Sequence, residues 1–254
     1  MNGIELKSPE EIDKMSRASK IVAEVLEALR GQVKPGVTTE ALDQFAEKFI
    51  VDRGGVPAFK GYRVRERVYH HALCTSINAA VVHGIPSRQV LKEGDIIGLD
   101  LGVIVDGYYG DAAITVPVGA IPISTQRLLA VTEEALYKGI AQAVVGHRIS
   151  DISHAVQTHA EAAAFSVVTE FVGHGIGRRL HEEPQIPNYG EPGKGPRLKA
   201  GMTLAIEPMV NMGRPETRCL EDGWTAVTCD GSLSAHFEHT IAVTDTGPQI
   251  LTKL

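Results

Sequence analysis

Cysteine is scarce in this chain: Cys74, Cys219 and Cys229 are the only three, and no two of them form a C-x-x-C pair. An odd, scattered set excludes a disulfide framework, argues against a structural zinc knuckle and fits a reducing cytosol. No apolar run reaches 18 residues, so no membrane-spanning helix is expected. The start, "MNGIELKSPEEIDKM", lacks a basic segment followed by an apolar one, so no secretory signal is expected. Basic residues are outnumbered, 25 against 31 acidic, for a net charge of −6, which argues against a nucleic-acid binder. Two enzyme signatures are also missing: no G-x-x-x-x-G-K-[ST] phosphate loop and no G-x-S-x-G elbow occur. What remains is 254 residues, 43% hydrophobic and 22% charged, enough to bury a large core.

The apolar pattern changes period along the chain. Residues 9–30 repeat near 3.6, with Ser8 as N-cap, Pro9 at the first helical position, Glu11 completing a capping box and Gly31 as a stop. A second helix is expected from Thr38/Thr39 to Asp52, then strands and turns over about 55–120. Helices return at about 124–145 and 149–165, and strands fill 167–254. This order, repeated twice, accompanies three internal matches. "LKEGDIIGLDLG" (91–102) aligns with "LKAGMTLAIEPM" (198–209), placing Asp100 on Glu207 at an offset of 107. "KPGVTTEALDQ" matches "VVGHRISDISH" at an offset of 110. "YYGDAAITVPVG" matches "AHFEHTIAVTDTG", placing Asp111 on Glu238 at an offset of 127. The expectation is an α+β fold, one unit over 1–254, made of two αα-ββ halves (about 9–120 and 121–254) related by a pseudo-twofold.

Asp106-Gly107 fits a two-residue type I′ turn. That turn pairs Val105 with Tyr108, sets Asp100 opposite Ala113 and sets Asp111 opposite Gly102. Asp100 and Asp111 then share one face as diagonal neighbours, within strands apolar on both faces. Surface aspartates would not need such flanks. Glu207 in "GMTLAIEPMV" and Glu238 in "SAHFEHTIAVT" repeat the situation. Four carboxylates converging in an apolar setting call for positive charge, and one divalent ion would leave excess negative charge, so two are expected. An oxygen-rich shell with one imidazole suits Mn, Fe(II), Co or Zn, and less clearly Mg.

The imidazole candidate is His174, in "FVGHGIGRRLHEEP" (171–184), where glycines allow close backbone approach to the metals. Spacing alone does not select it from ten histidines. The stretch is not a dinucleotide fingerprint, since G-x-G-x-G is followed by Arg178-Arg179. Nor is it a zincin helix: after His181-Glu182, Pro184 breaks the helix and Gln185 stands where the second histidine belongs.

Asp100, Asp111, His174, Glu207 and Glu238, in the contexts "LDLGVIVDGYYGD", "GHGIGRRLHEEP", "IEPMV" and "FEHT", closely resemble the type I methionine aminopeptidases of bacteria. "CTSINAAVVHGIP" (74–86) is similar to the family's segment with a substrate-contacting histidine, here His83, and the likeness covers essentially the whole chain. The resemblance implies a pita-bread fold around a curved antiparallel sheet and two divalent ions, with Co, Mn, Fe(II), Zn and Ni all compatible. It implies that Asp100 holds one ion, His174 and Glu207 the other, and that Asp111 and Glu238 bridge. Glu207 would accept the proton of the attacking water, His181 would stabilise the oxyanion, and His83 would contact the peptide nitrogen. Phe59, Tyr62, Cys74, Leu180 and Trp224 would line an apolar methionine pocket.

The implied reaction is removal of N-terminal methionine, during or after translation, when the second residue is small. The implied partners are peptides and nascent chains near the ribosome, for a cytoplasmic monomer with no nucleic acid or membrane bound directly. An X-Pro peptidase and a non-catalytic binding protein of the same fold are the rival readings. The chain departs from the family over 63–73, "RVRERVYHHAL", about four residues longer and lacking a Gly-aromatic-Pro turn. Tyr69 is the candidate replacement aromatic there. Leu180 stands where an aromatic is common, and His236 where Gln is usual before "FEHT", an exchange that bears on the metal shell or is a tolerated neighbour of it.

Overall fold

The computed structural model describes residues 3–253; Met1, Asn2 and Leu254, the ends of the expected unit, lie outside it. Four helices order the chain. Helix α1 (Pro9–Gln32) carries the Ser8/Glu11 capping box, and α2 (Thr39–Asp52) is capped by the Thr38 side chain. Helices α3 (Ile123–Ala141) and α4 (Ile149–Ala162) follow in the second half. Gly31 does not stop α1; the helix ends at Gln32, and Val33 is already extended at φ −71° and ψ 112°, two residues before Pro35. Helix α3 also ends short of 145, at Ala141, where the Gln142 and Ala143 N–H groups turn back to the Gly139 and Ile140 carbonyls, both at 2.9 Å.

A nine-stranded antiparallel sheet is the centre of the fold. Its strands are β1 (Val56–Pro57), β2 (Cys74–Ile77), β3 (Ile96–Val105), β4 (Tyr108–Pro117), β5 (Gly173–Gly175), β6 (Glu182–Ile186), β7 (Thr203–Ile206), β8 (Glu238–Thr244) and β9 (Gly247–Ile250). The order is β1-β3-β4-β8-β7-β5-β6, with β2 also on β3 and β9 also on β8. Side chains alternate across each strand. Ile97, Leu99, Leu101 and Val103 of β3 join α1 and α2 in one core cluster. Leu204 and Ile206 of β7, with Ile241 and Val243 of β8, join α3 and α4 in another. The helices thus cover one face, and the alternate residues, including all four candidate carboxylates, project from the other.

The duplication is visible in backbone bonds. Gly36 N–H donates to Leu91 O (2.9 Å) and Leu91 N–H to Val37 O (2.8 Å); Gly146 to Leu198 (3.0 Å) and Leu198 to His147 (2.8 Å) repeat them. Gly94 N–H donates to Val118 O, and Gly201 N–H to Val243 O, both at 2.9 Å. Asp100 therefore does correspond to Glu207. The last match is shifted: Val118 maps onto Val243, so β4 and β8 correspond at an offset of 125, not 127. Ala113 and Glu238, directly paired, then lie on the axis, and the counterpart of Asp111 is His236. The sequence alignment matched carboxylate to carboxylate, whereas strand register obeys the backbone.

Candidate metal centre

The β3–β4 hairpin turns at Asp106-Gly107 with φ of 50° and 77°, as a type I′ turn requires. Its register sets Asp100 against Ala113 and Gly102 against Asp111. Register across the sheet then builds two adjacent rows on the face away from the helices. One row runs Cys74, Asp100, Ala113, Glu238. The next runs Gly102, Asp111, Thr240, Ala205, His174, with Thr240 fixed on Asp111 by paired bonds of 2.7 and 3.1 Å. Glu207 follows β7 directly and lies beside Glu238, because Ile206 pairs with His239.

Asp111, His174 and Glu238 each offer a donor atom within 4.8 Å of the others. His174 Nε2 lies 3.5 Å from Glu207 Oε1 and 4.0 Å from Asp111 Oδ2. The His174 ring is oriented by its other nitrogen, which donates to Gly175 O at 2.9 Å and leaves the Nε2 lone pair facing the carboxylates.

The electrostatics are those of a cation site. Burial pushes the Asp100 carboxyl well above its usual range, and the Asp111 charge adds to this. Burial lifts Asp111 to about 7, against the pull of the Ala112 N–H. Glu207 and Glu238 rise for the same reason, burial first and neighbouring carboxylates second. Burial holds His174 down to about 3 and His83 down to about 4, with His181 adding to both. Asp100 Oδ1, Asp111 Oδ1 and Glu238 Oε1 are buried with no hydrogen-bond partner, an arrangement that is costly without a cation. The donor set fits divalent ions.

The four carboxylates and His174 line a cavity of about 450 Å³. Phe59, Tyr62, Tyr69, Cys74, Leu180 and Trp224 all line it. Tyr69 takes the wall position expected of it: its ring meets Trp224 edge-on at 5.2 Å and its hydroxyl donates to Leu73 and Gly84 carbonyls at 3.1 Å. Residues 63–68 form a small hairpin, Arg63–Val64 with Arg67–Val68, pinned by Arg67 donating to Gly223 O at 2.8 Å. His83, at φ 59°, has a strained backbone and rests edge-on against Phe171 at 5.5 Å. His181 Nδ1 and the Tyr62 hydroxyl are hydrogen-bonded at 2.7 Å, and the His181 ring lies 4.3 Å from that of His174.

The glycines of "FVGHGIGRRLHEEP" make room for neighbouring segments. A Cβ at Gly173 would meet the Ala205 carbonyl, one at Gly175 the Glu183 backbone, and one at Gly177 the Lys7 side chain. They admit neighbouring chain. Sequence reasoning also missed the clamp behind His181. Lys7 Nζ sits 2.7 Å from Glu182 Oε2, both buried, and Glu182 Oε1 accepts from Arg178 and Arg179 N–H at 2.8 and 3.1 Å. The partners are too far apart along the chain for any local pattern to link them.

With this geometry in view, the comparisons agree. The profile of Metallopeptidase family M24 matches residues 13–245. Methionine aminopeptidase 1 of Bacillus subtilis (strain 168) is 54% identical over 248 residues, covering 98% of each chain. The methionine aminopeptidase of Clostridium perfringens is 51% identical, covering 97% of this chain and 98% of its own. The crystal structure of the Thermotoga maritima methionine aminopeptidase superposes with a TM-score of 0.96 at 48% identity, covering 99% of this chain and all of that one. The fold is the pita-bread fold, and the chain belongs to Metallopeptidase family M24, among its methionine aminopeptidases.

Proposed function

We propose that this chain, acting as one catalytic unit, hydrolyses the bond after an N-terminal methionine, with Asp100, Asp111, His174, Glu207 and Glu238 holding two divalent ions. The carrying observation is the five-residue donor set lining one cavity together with apolar and aromatic side chains. When bound, the ions supply an acidified water and a Lewis acid. The residues supply the rest. Tyr69, Trp224, Phe59, Tyr62, Cys74 and Leu180 enclose the methionine side chain, whose thioether gains from burial and soft contacts. Glu207 accepts the proton of the attacking water. His181 donates Nε2–H to the carbonyl oxygen as negative charge develops there, its tautomer set by Tyr62. His83, neutral and held against Phe171, contacts the departing nitrogen. A small second residue is preferred, with His83 and His181 lining the cavity on either side of the scissile bond's place in this reading.

The substrates are peptides and nascent chains emerging at the ribosome. The chain acts as a cytoplasmic monomer, in keeping with the lack, among the described residues, of any helix long and apolar enough to cross a membrane. The test is release of methionine from Met-Gly and Met-Ala peptides by the purified protein with Mn, Co or Fe(II). No release with any of them, by folded protein, refutes the proposal, and cleavage of Xaa-Pro instead favours the X-Pro reading.

A further inference from the structure

The pseudo-twofold gives His236 a place that its sequence context left open. Asp111 is gripped by one hydroxyl: Thr240 Oγ1 accepts its N–H at 3.1 Å and donates to its carbonyl at 2.7 Å. His236 is gripped in the same way: Thr115 Oγ1 accepts its N–H at 2.9 Å and donates to its carbonyl at 2.8 Å. Thr115 and Thr240 are related by the same offset of 125 that relates Asp111 to His236. The backbone frame that presents Asp111 to the centre is thus built a second time, around an imidazole.

That imidazole faces Glu207. His236 Nε2 lies 3.7 Å from Glu207 Oε2, while His174 Nε2 lies 3.5 Å from the other oxygen, Oε1. The His236 contact is too long for a formed hydrogen bond. Its Nε2 is buried and has no partner, a costly arrangement unless the gap closes in the working state. His236 is not in the compact donor group of Asp111, His174 and Glu238, which argues against it as a ligand of that ion.

We propose that His236 is the positioning residue of Glu207. With Oε1 directed to the ion shared with His174, His236 Nε2–H donates to Oε2 and fixes which oxygen faces metal and water. The proposal rests on the reading of Glu207 as ligand and proton acceptor, and deepens it. Outer partners of this kind typically change metal affinity by about 10- to 100-fold.

The experiment is titration of the chelated protein with Co(II), followed by calorimetry and by the visible absorption of the bound ion. His236→Ala is expected to weaken one of two binding events by about 10- to 100-fold and to alter its spectrum, leaving the other event in place. His236→Gln, which keeps an N–H donor, is expected to restore binding to near the wild-type value. His236→Ala with wild-type affinities and spectrum overturns the proposal, as does His236→Gln behaving like Ala. If His236→Ala fails to fold by urea titration, His236→Leu replaces it under the same criteria. His174→Ala separates the two readings. Loss of one Co(II) event there, with none in His236→Ala, sinks only this proposal; no loss in either sinks the metal centre as well.

Discussion

Asp111→Asn is expected to stabilise the metal-free protein, increasingly so as pH rises. In the fold, burial lifts the Asp111 carboxyl from its ordinary value of 3.8 to about 7. Between these values the unfolded chain has released the proton and the folded chain has kept it. The folded state therefore binds more protons, and stability falls as pH rises through this window. At about 1.4 kcal/mol per pH unit, the wild type loses about 4 kcal/mol that the neutral amide does not. Relief of the charge that Asp111 exerts on Asp100, Glu207 and Glu238 adds in the same direction. The comparison with the variant matters because buried neutral histidines pull the other way. His174 and His236 sit at about 3 and His239 at about 4, so each contributes stability that is lost as pH falls below the unfolded value of 6.5. The His239 contribution largely cancels in the difference, whereas His174, 4.0 Å from Asp111, is coupled to the substitution itself. The assay is urea unfolding of both proteins, with chelator, at pH 4.5, 6 and 7.5. A gap that is flat with pH, or one in which the wild type gains as pH rises, refutes the reasoning. Saturating Co(II) at pH 7.5 should then narrow the gap, since an ion at 100 times its Kd stabilises the protein that binds it by about 2.7 kcal/mol.

His181→Ala is expected to lower kcat for a Met-Ala peptide by about 100- to 1,000-fold, with metal content by elemental analysis unchanged. Lys7→Ala leaves Glu182 buried without its cation; about 3–5 kcal/mol of stability should be lost in urea titrations, and an intact melting curve would argue that the clamp is idle. Gly110→Ala puts a Cβ 2.6 Å from Ser19 N where α1 crosses β4, so about 1–3 kcal/mol should be lost by the same assay. Arg67→Ala releases the hairpin at the cavity mouth, and limited proteolysis should then cut within 63–68 much faster than in the wild type.

Much of this protein was determined by the sequence alone, wherever the determinants are local or periodic. Ser8 with Glu11, Thr38, and the 3.6-residue pattern place α1 and α2, because capping and amphipathicity act within a few residues. Asp106-Gly107 fixes the β3–β4 register, because a two-residue turn leaves one pairing, and from it the shared face of Asp100 and Asp111 followed. The four carboxylates in apolar strands announced a cation site, and the family likeness selected His174 among the histidines. Only the tertiary structure decided the rest. The internal alignment set Asp111 on Glu238, but strand pairing across the axis set it on His236, two residues away. The glycines around His174 answer to the backbones of β6 and β7 and to Lys7, groups far off in the chain. Lys7 and Glu182 meet only once the sheet has closed on its helices. Register between distant strands and the partners of a buried charge come from packing, and no spacing along the chain encodes them.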